Sequence, residues 1–191
     1  MKTFLKAASL VLALGFASHA NAGLLLEPYL GYESSEIKIG TSTDKVTGPA
    51  LGLRAGYKMP MMLWFALDYS MITGGTAKND SGGADDKIDS SNLYFDVGFD
   101  LPVLARVWAG YGLARSYKAT PDTGSSSEIK LESPLKVGIG FTFLPIVSVN
   151  LEYFMSKAKE ATVGSATIDY GSYDTRDNNG LILSVSAPFN L

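Results

Sequence analysis

Residues 135–155, LKVGIGFTFLPIVSVNLEYFM, decide the fold. On both sides of Pro145, apolar residues alternate with small or polar ones. The apolar set is Leu135, Val137, Ile139, Phe141 and Phe143, then Val147, Val149, Leu151, Tyr153 and Met155. Alternation with a period of two is the pattern of a β-strand that has one apolar face. Because proline ends a strand and sets a turn, the stretch predicts a β-hairpin.

The same hairpin recurs along the chain. Pro60, Pro102 and Pro145 each lie in a short apolar turn, and they follow one another at intervals of 42 and 43 residues. The alternating runs predict eight strands of about 9–11 residues: 24–33, 51–57, 63–71, 93–99, 103–113, 135–143, 147–155 and 181–189. Four longer polar connections, rich in Gly, Ser, Thr and Asp, separate the hairpins: 34–47, 74–89, 115–132 and 157–179.

Alternation alone does not say which face points outward, since a soluble lipocalin-like barrel has its apolar face inside. Here the apolar set is bulky and the opposite set is small, which suits the crowded lumen of an eight-stranded barrel. The strand lengths and the strict alternation of short turns with long loops are typical of outer-membrane barrels. Aromatic residues near strand ends are candidates for interfacial girdles, or are ordinary sheet aromatics: Tyr32, Tyr57, Trp64, Tyr69, Phe99, Tyr111, Phe143, Tyr153 and Phe189. We therefore expect an all-β protein, an eight-stranded antiparallel up-and-down transmembrane β-barrel.

The first 22 residues, MKTFLKAASLVLALGFASHANA, have the features of a targeting segment. Lys2 and Lys6 precede an apolar stretch that is too short to span a bilayer, and Ala20-Asn21-Ala22 is a small-x-small cleavage pattern. The sequence predicts a cleavable signal peptide over residues 1–22 and a barrel domain over residues 23–191.

Composition argues against most catalytic chemistry. The chain has no Cys, and its one histidine, His19, lies in the predicted signal peptide. Without either residue the mature chain has no Ser-His-Asp or Cys-His arrangement. The acidic loop 79–89 contains Asp80, Asp85, Asp86 and Asp89, but not at the spacing of an EF-hand, and we interpret it as a solvated loop. We expect no enzyme, no catalytic, cofactor or metal site, and, from the acidic net charge of −3, no nucleic-acid partner.

Residues 23–191 resemble the small outer-membrane β-barrels of Gram-negative bacteria, such as the barrel domain of outer membrane protein A and the OmpX and OmpW families. The resemblance rests on the signal peptide, eight amphipathic strands, three tight turns, four long loops and a last strand near Phe189. It departs from the usual aromatic end because Asn190 and Leu191 follow. It implies a location in the cell outer membrane, contacts with outer-membrane lipid and lipopolysaccharide, recognition by the barrel-assembly machinery, and a possible surface partner of the loops.

Charged residues on the predicted lumen face form a pattern. Each proline hairpin carries one basic and one acidic residue there: Arg54 and Asp68, Asp96 and Arg106, Lys136 and Glu152. Folding each hairpin back about its turn places the first and third pairs directly opposite each other and the second pair diagonally. Long side chains can make contact at both distances. Glu27 is expected to reach Arg54 or Arg106. The alternative is that these are independent charges hydrated by lumen water.

The lumen charges also separate two functions. Charges that cross the lumen favour a packed plug, and so a structural or surface-interaction protein with four extracellular loops. An apolar lumen would favour the alternative, a narrow channel for small hydrophobic molecules as in OmpW-like transport.

Overall fold

The structure is a computed structural model that describes residues 22–79, 85–102, 104–121, 126–144 and 147–191. The predicted signal peptide lies outside these residues except for Ala22. The strands are β1 (Gly23–Ile39), β2 (Ser42–Lys58), β3 (Leu63–Asn79), β4 (Asp86–Asp100), β5 (Ala105–Thr120), β6 (Ser127–Leu144), β7 (Val147–Val163), β8 (Ala166–Asp169), β9 (Arg176–Ser186) and β10 (Phe189–Asn190). No helix in the described residues has the length and hydropathy that crossing a membrane requires.

The strands close into a barrel. β1 to β7 pair antiparallel in chain order, and β9 closes the wall because it pairs with both β7 and β1. β10 continues the line of β9 beyond Pro188 and pairs with β1, with Phe189 opposite Leu26. β8 is a short strand that folds back on β7. The prediction of an eight-stranded antiparallel up-and-down barrel is confirmed.

The apolar face of each wall strand points outward. Leu53, Leu67 and Val137 are among the exposed large apolar side chains, and their small or polar neighbours in sequence face the lumen. This orientation is the reverse of a lipocalin-like barrel. Of the aromatic girdle candidates, Trp64 is fully buried inside the barrel, so it is not an interfacial residue. The side chain of Phe143 lies outside the described residues.

The strands β1 to β7 have 15–18 residues each, more than the 9–11 that alternation predicts, whereas β9 has 11. β1 and β2 have 17 residues each, and only Gly40 and Thr41 separate them, so residues 34–47 form a hairpin and not a long loop. The reason is an inversion of polarity along the strand. In β1 the outward residues change from Leu30 and Tyr32 to polar Ser34, Glu36 and Lys38, while Ile37 turns inward.

In four other strands, a β-bulge interrupts the alternation, so the sequence pattern does not show that the strand continues beyond it. At each bulge two consecutive residues leave the inner face, and the inward positions change from even to odd numbers or back. The pairs are Thr73 and Gly74 in β3, Leu113 and Ala114 in β5, Glu132 and Ser133 in β6, and Lys159 and Glu160 in β7. Gly74 and Ser133 have positive φ angles of 67° and 49°. A bulge shifts the period-two pattern by one residue, so a strand that continues looks like one that ends.

The two ends of the barrel differ. At the turn end, which contains residues 59–62, 101–104 and 145–146, the strand connections are short; residues 103 and 145–146 are outside the described part of the chain. At the hairpin end the wall extends as paired strands with a polar outer face. Lys130 there donates to Glu160 over 3.0 Å, and this hydrogen bond raises the pKa of Lys130.

Candidate functional site: the barrel lumen

Arg54 is the centre of a buried ion-pair network. Its guanidinium contacts carboxylates from four other strands. It donates to Glu27 Oε1 over 3.2 Å, to Asp68 Oδ2 over 3.1 Å and to Glu152, and its Nε lies 3.4 Å from Asp96 Oδ2. All five side chains are essentially inaccessible to solvent. One guanidinium therefore ties β1, β3, β4 and β7 to β2 across the inside of the barrel.

Lys136 and Arg106 complete the network. Lys136 Nζ pairs with Asp68, lies 3.0 Å from Asp96 Oδ2 and lies 3.2 Å from Glu152 Oε2. Arg106 donates to Glu27 Oε2 over 2.7 Å. The structure thus brings all seven residues of the predicted lumen set together. Glu27 contacts both arginines and also accepts from Ser186 over 2.7 Å.

The register corrects two of the three predicted cross-strand pairs. Arg54 lies directly opposite Asp68, as expected. Arg106 lies opposite Asp100 and Asp96 lies opposite Gly110, because the second turn is centred one residue beyond Pro102, so Asp96 and Arg106 do not pair. Lys136 lies opposite Phe154, and it reaches Glu152 diagonally.

The network holds more carboxylates than cations. Four carboxylates, Glu27, Asp68, Asp96 and Glu152, face three cations in a water-poor space. Asp68 accepts from Arg54, from Lys136 and, over 2.8 Å, from the Tyr29 hydroxyl. Neither oxygen of Asp96 accepts a hydrogen bond from the described residues. Asp96 is therefore the least satisfied member of the set.

A second cluster, missed by the sequence analysis, lies nearer the hairpin end. Arg115 donates to Glu33 over 2.9 Å and to the hydroxyls of Tyr117 and Tyr94. Its guanidinium lies 3.8 Å from the centre of the Phe154 ring. Glu33 is the last residue of the predicted strand 24–33, whereas Arg115 lies beyond the predicted end of strand 103–113 and could have been found only by following the inner face across the β5 bulge.

Aromatic rings fill the space between the charges. The Arg106 guanidinium lies 4.6 Å from the Trp64 ring centre, and the Arg54 guanidinium lies 4.7 Å from the Trp108 ring centre. The two indole rings are 6.2 Å apart. Cations stacked on indole faces are stabilised while they fill the lumen.

Glycines on the facing strands make room for these rings. A Cβ atom at Gly98 would collide with Trp64, and one at Gly138 would collide with Trp108. Each ring lies directly opposite its glycine in the sheet register. The same relation holds for Tyr29 with Gly52 and for Phe154 with Gly180. The strand glycines are thus sites of close packing inside the lumen.

Beyond the charges, the hairpin end of the lumen is apolar. Its buried core includes Ile37, Val46, Ile72, Ile88 and Tyr117. This layer accompanies the inversion of polarity along the strands. Where the outer face becomes polar, apolar side chains such as Ile37 lie on the inner face. The lumen therefore has a charged layer towards the turn end and an apolar layer at the hairpin end.

Within the described ranges, no three His, Cys, Asp or Glu side chains are grouped to hold a metal. The stretch 79–89, predicted as a solvated loop, is partly strand, because its residues 86–89 belong to β4. Asp85 lies 3.6 Å from Lys78, and Asp89 accepts from the Gly74 amide over 3.0 Å. Asp80 lies outside the described residues.

Comparison with known proteins agrees with this architecture. A search of curated proteins gives no match. Ail, the attachment invasion locus protein of Yersinia pestis, superposes with a TM-score of 0.57 at 16% identity, over 87% of this chain and 99% of Ail. Neisserial surface protein A superposes with a TM-score of 0.51 at 15% identity, over 88% of this chain and 99% of that protein. At these identities the likeness shows the fold alone.

The family model of the outer membrane protein beta-barrel domain matches residues 7–189. This match covers nearly the whole chain and agrees with the outward apolar face of the barrel. The chain is therefore a protein of the outer membrane, and it belongs to the outer membrane protein beta-barrel domain family.

Proposed function

We propose that this protein is a non-catalytic barrel with a plugged lumen, which acts as a structural or surface-interaction protein of the outer membrane. The observation that carries the proposal is Arg54, because its guanidinium contacts carboxylates from four strands and all five side chains are inaccessible to solvent. Breaking such a pair leaves an uncompensated buried charge, which costs about 3–5 kcal/mol. Charges held in this way leave no open path along the barrel.

The surface role belongs to the hairpin end. We propose that this end faces the cell exterior, because the chain between the apolar parts of neighbouring strands is longer here than at the turn end, and the longer excursions are usually extracellular in bacterial outer-membrane barrels. Its outer face is polar and carries exposed ion pairs, such as Lys38 with Glu36. Ail is by its name an attachment protein, and we propose a contact role of that general kind here.

The partners follow from the outer surface. The exposed apolar side chains form a band suited to lipid, and the charged face of the hairpin end lies next to it. We propose outer-membrane lipid and lipopolysaccharide as the surroundings of the wall, the barrel-assembly machinery as the factor that inserts it, and a surface partner at the hairpins.

Conductance across planar bilayers tests the plug. Purified protein should show no steady open-channel current, because the lumen charges are paired and the rings fill the space between them. Arg54→Ala opens the centre of the network, and the folded variant should give transient or steady currents. Heat-modifiable migration in gel electrophoresis reports whether the variant has folded. A large steady current through the wild-type protein would overturn the proposal.

A narrow channel for small hydrophobic molecules is the second candidate. The apolar layer at the hairpin end favours it, because Ile37, Val46 and Ile88 would accept an apolar molecule. The charged layer opposes it. Uptake of a small apolar dye into proteoliposomes decides between the two: the plug predicts uptake no faster than in protein-free liposomes, whereas the channel predicts faster uptake.

A further inference from the structure

A groove crosses the outer wall of the barrel. It has a volume of about 480 Å³ and extends over β4, β5, β6 and β7. Ala109 lies at its floor, since this small outward residue stands between the larger Val97 and Val137, its partners on the two neighbouring strands. Lys136 borders the floor, but its ammonium group lies in the lumen network. The groove is therefore separate from the lumen site.

The sides of the groove are apolar and accessible. They are formed by residues that are each 38–55% exposed: Phe95, Tyr111, Leu135, Val137, Tyr153 and Met155. These side chains belong to the outward apolar band, which faces lipid in an outer-membrane barrel. An acyl chain is therefore the group that this groove meets in the membrane.

The wall is interrupted directly beside the groove, towards the hairpin end. The register of β5 and β6 is continuous up to Tyr111 opposite Leu135 and resumes only at Ser116. Residues 112–115 and 131–134 have no partners across this boundary. We call this interruption the seam. It arises because the bulge of β5 faces the bulge of β6.

The seam is closed on the inside and open on the outside. On the inside, Pro134 packs against Gly112, where a Cβ atom would collide with the proline ring. On the outside, Leu113, Ala114 and Ser133 are exposed. Pro134 has no N–H to donate, and Ser133 has a φ of 49°, which is uncommon for a residue with a side chain. The regular ladder of cross-strand hydrogen bonds is thus missing at a point that a ligand can reach from the lipid.

The seam lies where the outer face changes from apolar to polar. On its turn side the outward residues are Leu113 and Leu135, and on its hairpin side they are Ser116, Lys118 and Lys130. Backbone groups without partners are costly in contact with hydrocarbon, so this place favours a part of a lipid that forms hydrogen bonds. An apolar groove with a seam at its hairpin end matches an amphiphile whose head points towards that end.

We infer that the groove and the seam together bind one lipid A molecule through one of its amide-linked hydroxyacyl chains. The chain fills the groove, and its amide and hydroxyl groups, which both donate and accept hydrogen bonds, lie at the seam. The ester linkages of a glycerophospholipid only accept. Glu132, the acid of the seam, accepts from Arg176, so its charge is compensated. The inference rests on the proposed orientation, in which the hairpin end of the groove lies in the outer leaflet.

Methyl NMR on the full-length mature barrel in phosphatidylcholine nanodiscs tests this inference. Lipid A is the probe, and phosphatidylglycerol, an anionic lipid with ester linkages, is the comparison. The methyl signals of Leu135, Val137 and Met155 should shift and saturate with lipid A, whereas those of Leu51, exposed on β2, should not. Phosphatidylglycerol should bind about tenfold or more weakly, because it loses the hydrogen bonds of the donor groups.

Two changes locate the site. Ala109→Phe fills the groove and should abolish the saturable shifts, while the matched control Ala55→Phe, also on the outer face but on β2, should leave them unchanged. Deleting Leu113 and Ser133 together removes both bulges, so that β5 and β6 alternate without interruption. The folded deletion variant should bind the two lipids alike. If it does not fold, Ala109→Phe and the comparison of the two lipids still test the inference.

Four outcomes would overturn the inference: no saturation with lipid A, equal binding of the two lipids to the wild-type protein, undiminished binding in Ala109→Phe, or an unchanged preference in the folded deletion variant. Lipid enters both leaflets of a nanodisc, so the result does not depend on the orientation in the cell. Conductance is recorded separately, and a conducting barrel could still bind lipid A. The failure of the inference is therefore distinguishable from the failure of the proposed function.

Discussion

The inner residues differ sharply in how well their polar atoms are satisfied. Asp68 accepts three hydrogen bonds and Asp96 accepts none from the described residues, although both carboxylates lie in the same network. Four carboxylates against three cations leave one negative charge in excess. The consequences of removing each aspartate should therefore be unequal.

Asp68→Asn should lower the free energy of unfolding by about 3 kcal/mol, because it leaves Arg54 and Lys136 short of a partner. Asp96→Asn should change it by less than about 1 kcal/mol, because Asp96 accepts no hydrogen bond from the described residues that the variant would lose. Urea titration of barrels folded in lipid vesicles measures both. Equal losses in the two variants would show that the hydrogen-bond geometry does not set the energetics of this network.

A side chain at an inner glycine should be as harmful as the loss of a charge. Gly138→Val places methyl groups against the Trp108 ring, which cannot retreat because Arg54 stacks on it. We expect a loss of about 1–3 kcal/mol, as for overpacked cores. Ala55→Val, on the outer face of β2, is the control and should be close to neutral. The measurement is again the urea midpoint, and a neutral Gly138→Val would mean that the lumen is loosely packed.

At the scale of strands, the sequence predicts the membrane part of each element and loses the rest. The run 51–57 was assigned correctly because bulky outward residues and small inward ones alternate without interruption there. β1 was cut at Glu33, where the outer face becomes polar, and β3 was cut before its bulge at Thr73 and Gly74. Each of these two interruptions of the pattern has a physical cause. Water replaces lipid outside the wall, and an extra residue shifts the alternation.

The lumen site was also predictable only in part. Its seven predicted residues lie on uninterrupted stretches of strand, so their common face was readable from the sequence. Their partners were not, because register depends on turn length. Moving the centre of the second turn by one residue beyond Pro102 places Arg106 opposite Asp100 instead of opposite Gly98, which takes it out of reach of Asp96. Arg115 was missed since it follows the β5 bulge.

The orientation of the hairpins in the membrane gives a prediction at this scale. An epitope inserted between Gly164 and Ser165, in the exposed turn before β8, should be labelled by antibody on intact cells. One inserted between Pro60 and Met61, at the turn end, should be labelled only after permeabilisation. Gly164 has open space around it, so the insertion should leave the fold intact. The reverse labelling pattern would invert the proposed topology.

The whole molecule combines two sets of ion pairs with different exposure. The network around Arg54 is shielded from solvent, whereas pairs such as Lys130 with Glu160 lie on the outer surface. Salt screens exposed charges and affects buried ones far less. The two sets can therefore be separated by ionic strength.

Raising NaCl from about 0.05 M to about 1 M should change the free energy of unfolding by less than about 1 kcal/mol, because the exposed pairs contribute little and the lumen pairs are not screened. Lys130→Gln reports the exposed contribution alone. If water and salt reached the lumen, its ion pairs would be screened and stability would fall with salt, and that result would contradict the solvent-shielded plug. Urea titrations at the two salt concentrations make the comparison.

The polarity inversion in β1 also sets how far the protein extends beyond the lipid. The part of β1 with a polar outer face, Ser34–Ile39, is six residues long. At about 3.4 Å per residue and the usual tilt of about 40°, it rises roughly 15 Å along the barrel axis. In the proposed orientation the tips stand at the height of the inner sugars of the surrounding lipopolysaccharide. On cells whose lipopolysaccharide has short saccharide chains these tips would be uncovered. On cells with long saccharide chains they would be shielded from any large protein in the medium.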